Sequence, residues 1–453
     1  MHYALHLVLV SRSVLVDFNY KNVLIYGYGI SGKAVEEQLI KIGANYKIYD
    51  KQIRVGGGQY VLKLNAHTLK EFDLVVLSPG VSIFNRYVKL AHKLGIKVIG
   101  ELEFAYMFLD TKIIGVTGTN GKTSTVGLIT HMLSLAGYQV QSYGNIGVPL
   151  CNAIGKDLDY VVCEISSFQL EGIENFKCDI CAILNIDEDH LDRHKNLKNY
   201  IACKLAIAKN STPNDYVVLN DDDYECNRHK DYVSGKLMLT SSHHVVEGVY
   251  AKDNAMYYNN GVGISELFSL TDCKPKSKYL DNIMCAVCIA KILDIDNSVI
   301  IKSIKTWNIL PHRLEFVTKN AGVTYINDSK STNIHSVKKA IDSVNGNIIL
   351  LLGGENKDLD FASLVATLPR NIKSVVTFGK SAKYLYKLCK KYGVNSYLAL
   401  GVEEAVIMAH KIAVKGDTVL FSPGCTSFDE FSSYIERGEK FKQYVFDVVS
   451  DEE

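Results

Sequence analysis

No run of about 18 consecutive apolar residues occurs in the chain, so no membrane-spanning helix is expected. Charge of neither sign dominates: 50 Lys and Arg against 49 Asp and Glu leave a formal net charge of +1. That balance excludes a broad electrostatic footprint for nucleic acid or an acidic membrane. No repeat or low-complexity tract stands out. The opening MHYALHLVLV is apolar but short, and it lacks a basic n-region and a small-residue cleavage site, so no secretory signal peptide is expected. The segment before Lys21 reads as an extra strand or as an extension without function. The 11 cysteines are odd in number and form no compact disulfide framework, so a reducing cytoplasm is the expected compartment. Two C-x-x-C spacings, Cys178/Cys181 and Cys285/Cys288, lack the glycine-rich turn of a zinc knuckle. The first falls in a strand-like run, where positions i and i+3 face opposite sides, and the second in a helical stretch. Neither is expected to hold zinc.

What is present is length and alternation. A chain of 453 residues is too long for one ordinary core, and at ~100–200 residues per domain about three domains are expected. Strand-like runs alternate with helical stretches in three blocks. The first holds Asn22–Tyr26, Tyr46–Tyr49, Leu74–Leu77 and Val98–Ile99. The second opens at Lys112 and continues through Tyr160–Ile165, Asp179–Ile186 and Tyr216–Leu219. The third holds Thr324–Ile326, Ile348–Leu352, Ser374–Phe378 and Thr418–Phe421. Alternation at this spacing predicts an α/β protein of parallel sheets with helices on both faces. The expected architecture is a Rossmann-like N-terminal domain over 1–100, a central P-loop-type ATP-binding α/β domain over 101–308, and a C-terminal Rossmann-like α/β domain over 309–453. The boundaries fall near Glu101 and Ile309.

In the first block, Gly27-Tyr28-Gly29-Ile30-Ser31-Gly32 matches G-x-G-x-x-G between a strand and a helix. Such glycines permit a tight turn and close backbone approach to a phosphate at a helix N-terminus. Asp50 ends the next strand, where a carboxylate can receive ribose or base donors, and Ser78-Pro79-Gly80-Val81 ends a later one. Taken alone, the turn points to a nicotinamide dehydrogenase, and a packing turn without ligand is the plain alternative. In the second block, Gly115-Val116-Thr117-Gly118-Thr119-Asn120-Gly121-Lys122-Thr123-Ser124-Thr125 follows a strand and opens a helix. Val116 stands where the Walker pattern wants glycine, but the chemistry survives. Small residues let backbone N–H groups wrap phosphates, Lys122 neutralises their charge, and Thr123 can ligate magnesium. Downstream, Glu164 ends a strand in EISSFQLE, and LNIDEDHLDRH places His190 just past another. A carboxylate and an imidazole at adjacent strand ends would meet near a γ-phosphate, although a lone histidine is as often structural.

These motifs, with PHRLE, resemble the Mur ligase family, from about Val23 to about Tyr444. YINDSKSTN (Tyr325–Asn333), LLLGGENKDLDF (Leu350–Phe361), SPGCTSFDEF (Ser422–Phe431) and Arg437-Gly438 resemble the branch that adds D-glutamate to UDP-N-acetylmuramoyl-L-alanine. The resemblance implies ATP-dependent amide ligation through an acyl phosphate, in cell-wall precursor synthesis, by an enzyme acting on small molecules and expected to be a monomer. It implies a carbamylated Lys204, which with Thr123, Glu164 and His190 holds magnesium. Gly118, Thr119, Asn120, Gly121, Lys122, Thr123 and Ser124, with Asn282, Arg313, Asp328 and Lys330, would bind ATP. Gly29, Ile30, Ser31, Asp50, Ser78, Pro79 and Gly80 would take the UDP part, and Asn145 the substrate near the catalytic end. Thr332, Lys357, Ser427, Phe428 and Tyr434 would hold D-glutamate. The sequence departs from the pattern at Lys278-Tyr279, where a His-Asn pair is usual, and at Tyr434, where phenylalanine is common. The DNPR of diamino-acid ligases and the HHPTE of L-alanine ligases are both missing. A folate polyglutamate synthetase would resemble the second and third blocks only, and a non-catalytic nucleotide-binding regulator would not need Lys122, Glu164, His190 and Lys204 together.

Overall fold

In a computed structural model, residues 7–10, 14–53, 58–145, 147–273, 279–307, 311–356 and 359–450 are described. Lys357 and Lys278 lie outside them. The chain forms two compact units, 1–188 with 193–307, and 189–192 with 308–453.

The segment before Lys21 forms an antiparallel pair, β1 (Leu7–Val10) and β2 (Val14–Asp17). The first sheet holds β3 (Asn22–Tyr26), β4 (Asn45–Tyr49), β5 (Leu74–Leu77) and β6 (Lys97–Gly100), all parallel, in the order β4-β3-β5-β6. Chain order reverses between β3 and β5, and at such a switch the loops leaving the carboxyl ends diverge and open a crevice. The two loops there are the glycine turn after β3 and Ser78–Val81 after β5.

The central sheet adds β7 (Lys112–Thr117), β8 (Val140–Gly144), β9 (Tyr160–Glu164), β10 (Ile180–Ile183), β11 (Tyr216–Asn220), β12 (Lys236–Ser241), β13 (Gly248–Lys252), β14 (Ala255–Asn259) and β15 (Ile264–Ser269). Their order is β15-β14-β13-β12-β11-β10-β7-β9-β8, parallel except for the antiparallel pairs β13-β14 and β14-β15. Its central strands are buried apolar runs, as a parallel sheet covered on both faces requires. Strand β10 is shorter than the expected Asp179–Ile186, because Asn185 leaves the ladder to hold the loop after β7. One hydrophobic core runs from the first sheet into the central one: Val23, Val35 and Leu39 pack in the same cluster as Leu102, Phe104, Tyr143 and Leu150. Glu103 fastens the join, its buried carboxylate accepting backbone N–H bonds from Glu174, Asn175 and Phe176 at 2.7–2.9 Å.

The second unit carries β16 (Glu315–Asn320), β17 (Val323–Asn327), β18 (Ile348–Gly353), β19 (Ile372–Phe378), β20 (Ser396–Leu398) and β21 (Thr418–Gly424), in the order β16-β17-β21-β18-β19-β20. Only β16-β17 is antiparallel. Apolar clusters cover both faces of this sheet. Burial pushes the Cys181 and Cys288 thiols up to about 12, and those of Cys178 and Cys285 well above the usual range, as suits packed apolar side chains.

Candidate active site

The loop after β7 is a glycine turn pinned from one side, which leads into the free N-terminus of a helix. Gly118 and Gly121 hold φ of 153° and 85°, which glycine adopts without a Cβ clash. Asn185 pins the turn from below. Its carbonyl accepts the Thr119 N–H at 2.9 Å, its side-chain oxygen accepts the Asn120 N–H at 2.8 Å, and its amide donates to Asn120 O at 3.1 Å. Asn282, at the start of helix Leu280–Ile292, donates to Gly121 O at 3.3 Å and Thr125 Oγ1 at 2.8 Å. A Cβ on Gly121 would meet that amide nitrogen at 2.3 Å. Lys122 opens helix Lys122–Leu135 and folds back across the loop, donating to Gly118 O at 2.7 Å and Thr119 O at 3.0 Å. The ammonium is therefore held at the loop that opens this helix, where its N-terminal amides and positive end suit a phosphate.

Glu164 ends the neighbouring strand β9 and is 3% exposed. Asn145 orients it: its side-chain amide donates to Glu164 Oε1 at 2.8 Å and its backbone N–H to Glu164 O at 2.8 Å. Glu164 Oε2 is buried with no hydrogen-bond partner, and so are Thr117 Oγ1 at the end of β7 and Ser124 Oγ in the first turn of helix Lys122–Leu135. Leaving a buried acceptor unsatisfied costs about 1–3 kcal/mol, so an orphan of this kind calls for a ligand. A carboxylate oxygen at the end of the strand paired with β7, whose end opens the phosphate loop, fits Mg2+, which takes one or two carboxylates and completes its shell with water and phosphate oxygens. No cluster of three or more His, Cys, Asp or Glu side chains among the described residues forms a ready-made metal cage.

Lys204 sits on helix Leu197–Leu205, which passes into a 3-10 turn over Ala206–Ala208. It is 1% exposed, so the ordinary solvated lysine that helical spacing alone favours is ruled out. Its Nζ donates to Gly118 O at 2.7 Å and stands 4.6 Å from the Tyr200 ring centroid. Two lysines, far apart in sequence, thus meet the same carbonyl of the phosphate loop.

At the crevice of the first sheet, the third glycine has a packing reason. A Cβ on Gly32 would meet Gly27 O at 2.2 Å, so helix Ile30–Lys41 could not start so close to the turn. Asp50 and Ser78, expected at the ligand, also build the turn. Asp50 Oδ2 accepts the Tyr28 N–H at 2.7 Å, and Ser78 Oγ donates to Gly27 O at 2.7 Å. Ile30 is exposed, Ser31 and Pro79 half-buried, and Gly29 and Gly80 exposed, all at the carboxyl edge of the sheet. A pocket there is lined by Leu77, Ser78, Pro79, Val81, Ile83, Gly100 and Glu101, and by Phe168, Gln169 and Gly172 of the central sheet's segment.

In the second unit, three expected residues lie on strained or tightly held loops. His190 has φ 53°, a conformation costing a non-glycine residue on the order of 1–3 kcal/mol, and its Nε2 lies 3.8 Å from Asp189 Oδ2. Arg313 is flanked by two more such residues, His312 at 63° and Leu314 at 46°. Asp328, just past β17, anchors that loop. It accepts the Leu314 N–H at 3.1 Å, Ser331 Oγ at 2.5 Å and Ser422 Oγ at 2.9 Å, and burial raises its pKa to about 6. The carboxylate is thus engaged by protein donors and not presented to solvent. Lys330 Nζ stands 3.8 Å from the Tyr434 ring centroid. Thr332 and Tyr434 are half-buried, Ser427 is buried and Phe428 is exposed. Arg437, missed as a site residue though its motif was read, is 1% exposed and joins two strand-end loops. It donates to Ser329 Oγ and O at 3.0 and 2.8 Å and to Cys425 O at 3.0 Å. Burial lowers its guanidinium to about 10.

Residues 21–100 match the Mur ligase MurD-like N-terminal domain, residues 116–288 the Mur ligase middle domain, and residues 312–425 the Mur ligase glutamate ligase domain. The UDP-N-acetylmuramoylalanine--D-glutamate ligase of Caldanaerobacter subterraneus subsp. tengcongensis is 35% identical over 453 residues, covering 96% of this chain and 100% of the relative. The chain belongs to the Mur ligase family. A ligase of the same name from Pelotomaculum thermopropionicum is 37% identical, covering 96% of this chain and 99% of its own. Among solved structures, a pseudomurein peptide ligase type C from Methanothermus fervidus shares the Mur ligase fold at TM-score 0.61 and 16% identity, over 94% of this chain and 100% of that one. A MurF ligase from Thermotoga maritima, in complex with ADP, does so at TM-score 0.59 and 16% identity, over 95% of each chain.

In this Mur ligase, Gly118–Ser124, Glu164, Asn145, Asn282 and Lys204 therefore converge on one strand end of the central sheet. Sequence reasoning missed Asn185 as the prop of the phosphate loop, although it lies within LNIDEDH. It also missed Tyr200, whose hydroxyl is 3.1 Å from Thr119 Oγ1.

Proposed function

We propose that this ligase joins D-glutamate to UDP-N-acetylmuramoyl-L-alanine in the cytoplasm, with ATP and through an acyl phosphate, as a step in peptidoglycan precursor synthesis. The observation that carries the reading is the phosphate loop itself, with Lys122 and Lys204 on Gly118 O and an unpaired buried Glu164 oxygen beside it. The names of the relatives supply the substrates. The substrate carboxylate oxygen attacks the γ-phosphorus of ATP, and the bond to the β,γ-bridging oxygen breaks to release ADP. The D-glutamate amine then attacks the acyl carbon, the C–O bond to phosphate breaks, and the amine loses a proton. The protein's part is positioning and charge stabilisation. Loop amides and Lys122 hold the β- and γ-phosphates, and Asn145 keeps Glu164 turned toward them. Bound Mg2+ neutralises phosphate charge, and the residues that would hold it are Thr123, Glu164, His190 and a carbamylated Lys204. Asn282, Arg313 and Lys330 serve the rest of ATP, and Asp328, expected there too, serves it by holding the loop that carries Arg313. Thr332, Lys357, Ser427, Phe428 and Tyr434 serve D-glutamate.

The decisive assay is release of ADP and phosphate. It should require both UDP-N-acetylmuramoyl-L-alanine and D-glutamate, and turnover with L-alanine or a diamino acid in place of D-glutamate would redirect the reading within the family.

The glycine turn should take UDP and not NAD, because the central sheet already houses ATP and the acceptor needs a nucleotide site of its own. Gly32→Ala, driven against Gly27 O, should weaken binding of the UDP-linked substrate at least about tenfold, at a strain cost of ~1–3 kcal/mol. Tight NAD binding by the native protein, with no uptake of the UDP-linked ligand, would reverse the assignment.

Lys357→Ala should raise the KM for D-glutamate far more than that for ATP, since a dicarboxylate needs a cation that ATP, held elsewhere, does not. Equal changes in both constants would make Lys357 a structural residue.

A further inference from the structure

Arg193 joins parts of the molecule that the chemistry keeps separate. Its Nη2 donates to Val81 O at 3.1 Å, in the loop that lines the first sheet's pocket. The same guanidinium grips Glu171, Nε donating to both carboxylate oxygens at 3.1 Å and Nη2 to Oε2 at 2.5 Å. Its Cζ lies 4.2 Å from the ring centroid of Phe168, another wall of that pocket. The pair is largely buried, with the arginine side chain 10% and the glutamate 5% exposed. A fork held on three sides in this way has one geometry, which a flexible ammonium would not have.

From Glu171 the contacts run on to the phosphate loop. Glu171 Oε1 lies 3.6 Å from His194 Nδ1, and His194 Nε2 lies 3.0 Å from Ser167 Oγ. The His194 and Tyr200 rings meet at 5.2 Å, and the Tyr200 hydroxyl is 3.1 Å from Thr119 Oγ1. Lys204, over the same tyrosine ring, donates to Gly118 O.

We propose that Arg193 is a positioning residue that couples occupation of the first sheet's pocket to the phosphate loop. The proposal rests on the reading that the pocket takes the UDP-linked acceptor and the loop takes ATP. An acceptor that orders Val81 fixes Arg193, and through Glu171 and His194 it fixes Tyr200 against Thr119. By linkage the effect is reciprocal: each ligand tightens the other by the same factor.

The test is calorimetric titration of the full chain with UDP-N-acetylmuramoyl-L-alanine, with and without saturating ADP, and the converse. The native protein should bind each ligand at least about fivefold tighter when the other is present, within the usual range of coupling between sites. Arg193→Met should bind each ligand alone nearly as the native protein does, with mutual tightening below twofold. Glu171→Gln, which removes the charge that holds the fork, should behave likewise. Where Arg193→Met does not fold, Arg193→Lys, which keeps the charge and stem but not the fork, is read by the same criterion. Fivefold tightening retained by the folded variants would overturn the proposal, as would its absence from a native protein that binds both ligands. A native protein that does not bind the UDP-linked ligand would overturn the functional reading together with it.

Discussion

Lys122→Ala is expected to slow substrate-dependent ADP formation by about 10²–10³-fold while the protein stays folded. The ammonium is held on two carbonyls of the loop that the proposed function assigns to phosphate, where it would meet charge that builds on the γ-phosphoryl group. Removing one such preorganised donor costs roughly 10²–10³ in rate. The fold should survive because the lysine is only half-buried and its partners, Gly118 O and Thr119 O, lie at the site's edge. A coupled assay for ADP, with a thermal melt of the same preparation, decides the matter. Near-native turnover by a folded Lys122→Ala protein would remove the loop from the reaction.

Lys204→Ala is expected to be at least as damaging, for a different reason. The side chain is enclosed beneath the loop, between Gly118 O and the Tyr200 ring. The proposed carbamate would form there by attack of the neutral amine on carbon dioxide with loss of a proton, and the product would be an anion able to orient a metal ligand, which a bare lysine is not. Activity of Lys204→Ala should fall by on the order of 10²-fold or more, and formate or acetate should restore part of it by entering the vacated space. Rescue separates a charge role from a packing role, because a cavity filled by an apolar molecule of the same size would recover stability but not rate. Full activity in Lys204→Ala would end the carbamate proposal.

The strands were legible where burial is two-sided. Asn22–Tyr26 and Leu74–Leu77 stand where their apolar runs put them, and β7, β9 and β21 begin where theirs do. The antiparallel extension β13–β15 was not, because half-buried Tyr257 and Tyr258 and exposed Ile264–Glu266 mix apolar and polar residues without a clean alternation. The phosphate loop was legible because its glycines and lysine have a local job. Lys204 was singled out only by the resemblance, since a lysine at helical spacing gives no sign of whether its tip is covered, and here the cover comes from Gly118, 86 residues away. Asp328 and Arg437 show the same limit. Their hydrogen bonds cross between strand ends that only the sheet order brings together, so the motifs that mark Asp328 and Arg437 in the sequence do not tell which loops they hold.

The core shared by the first and central sheets has a consequence for how this molecule comes apart. Three sheets would ordinarily melt as three transitions. Here Leu102, Phe104 and Tyr143 belong to the same apolar cluster as Val23 and Leu39, and the Glu103 carboxylate binds three amides across the join. Opening either sheet exposes the other's apolar face and leaves that carboxylate without its donors. Heating should therefore give two cooperative steps, one for the first two sheets together and one for the third, and a protease should release the third sheet's segment long before it parts the other two.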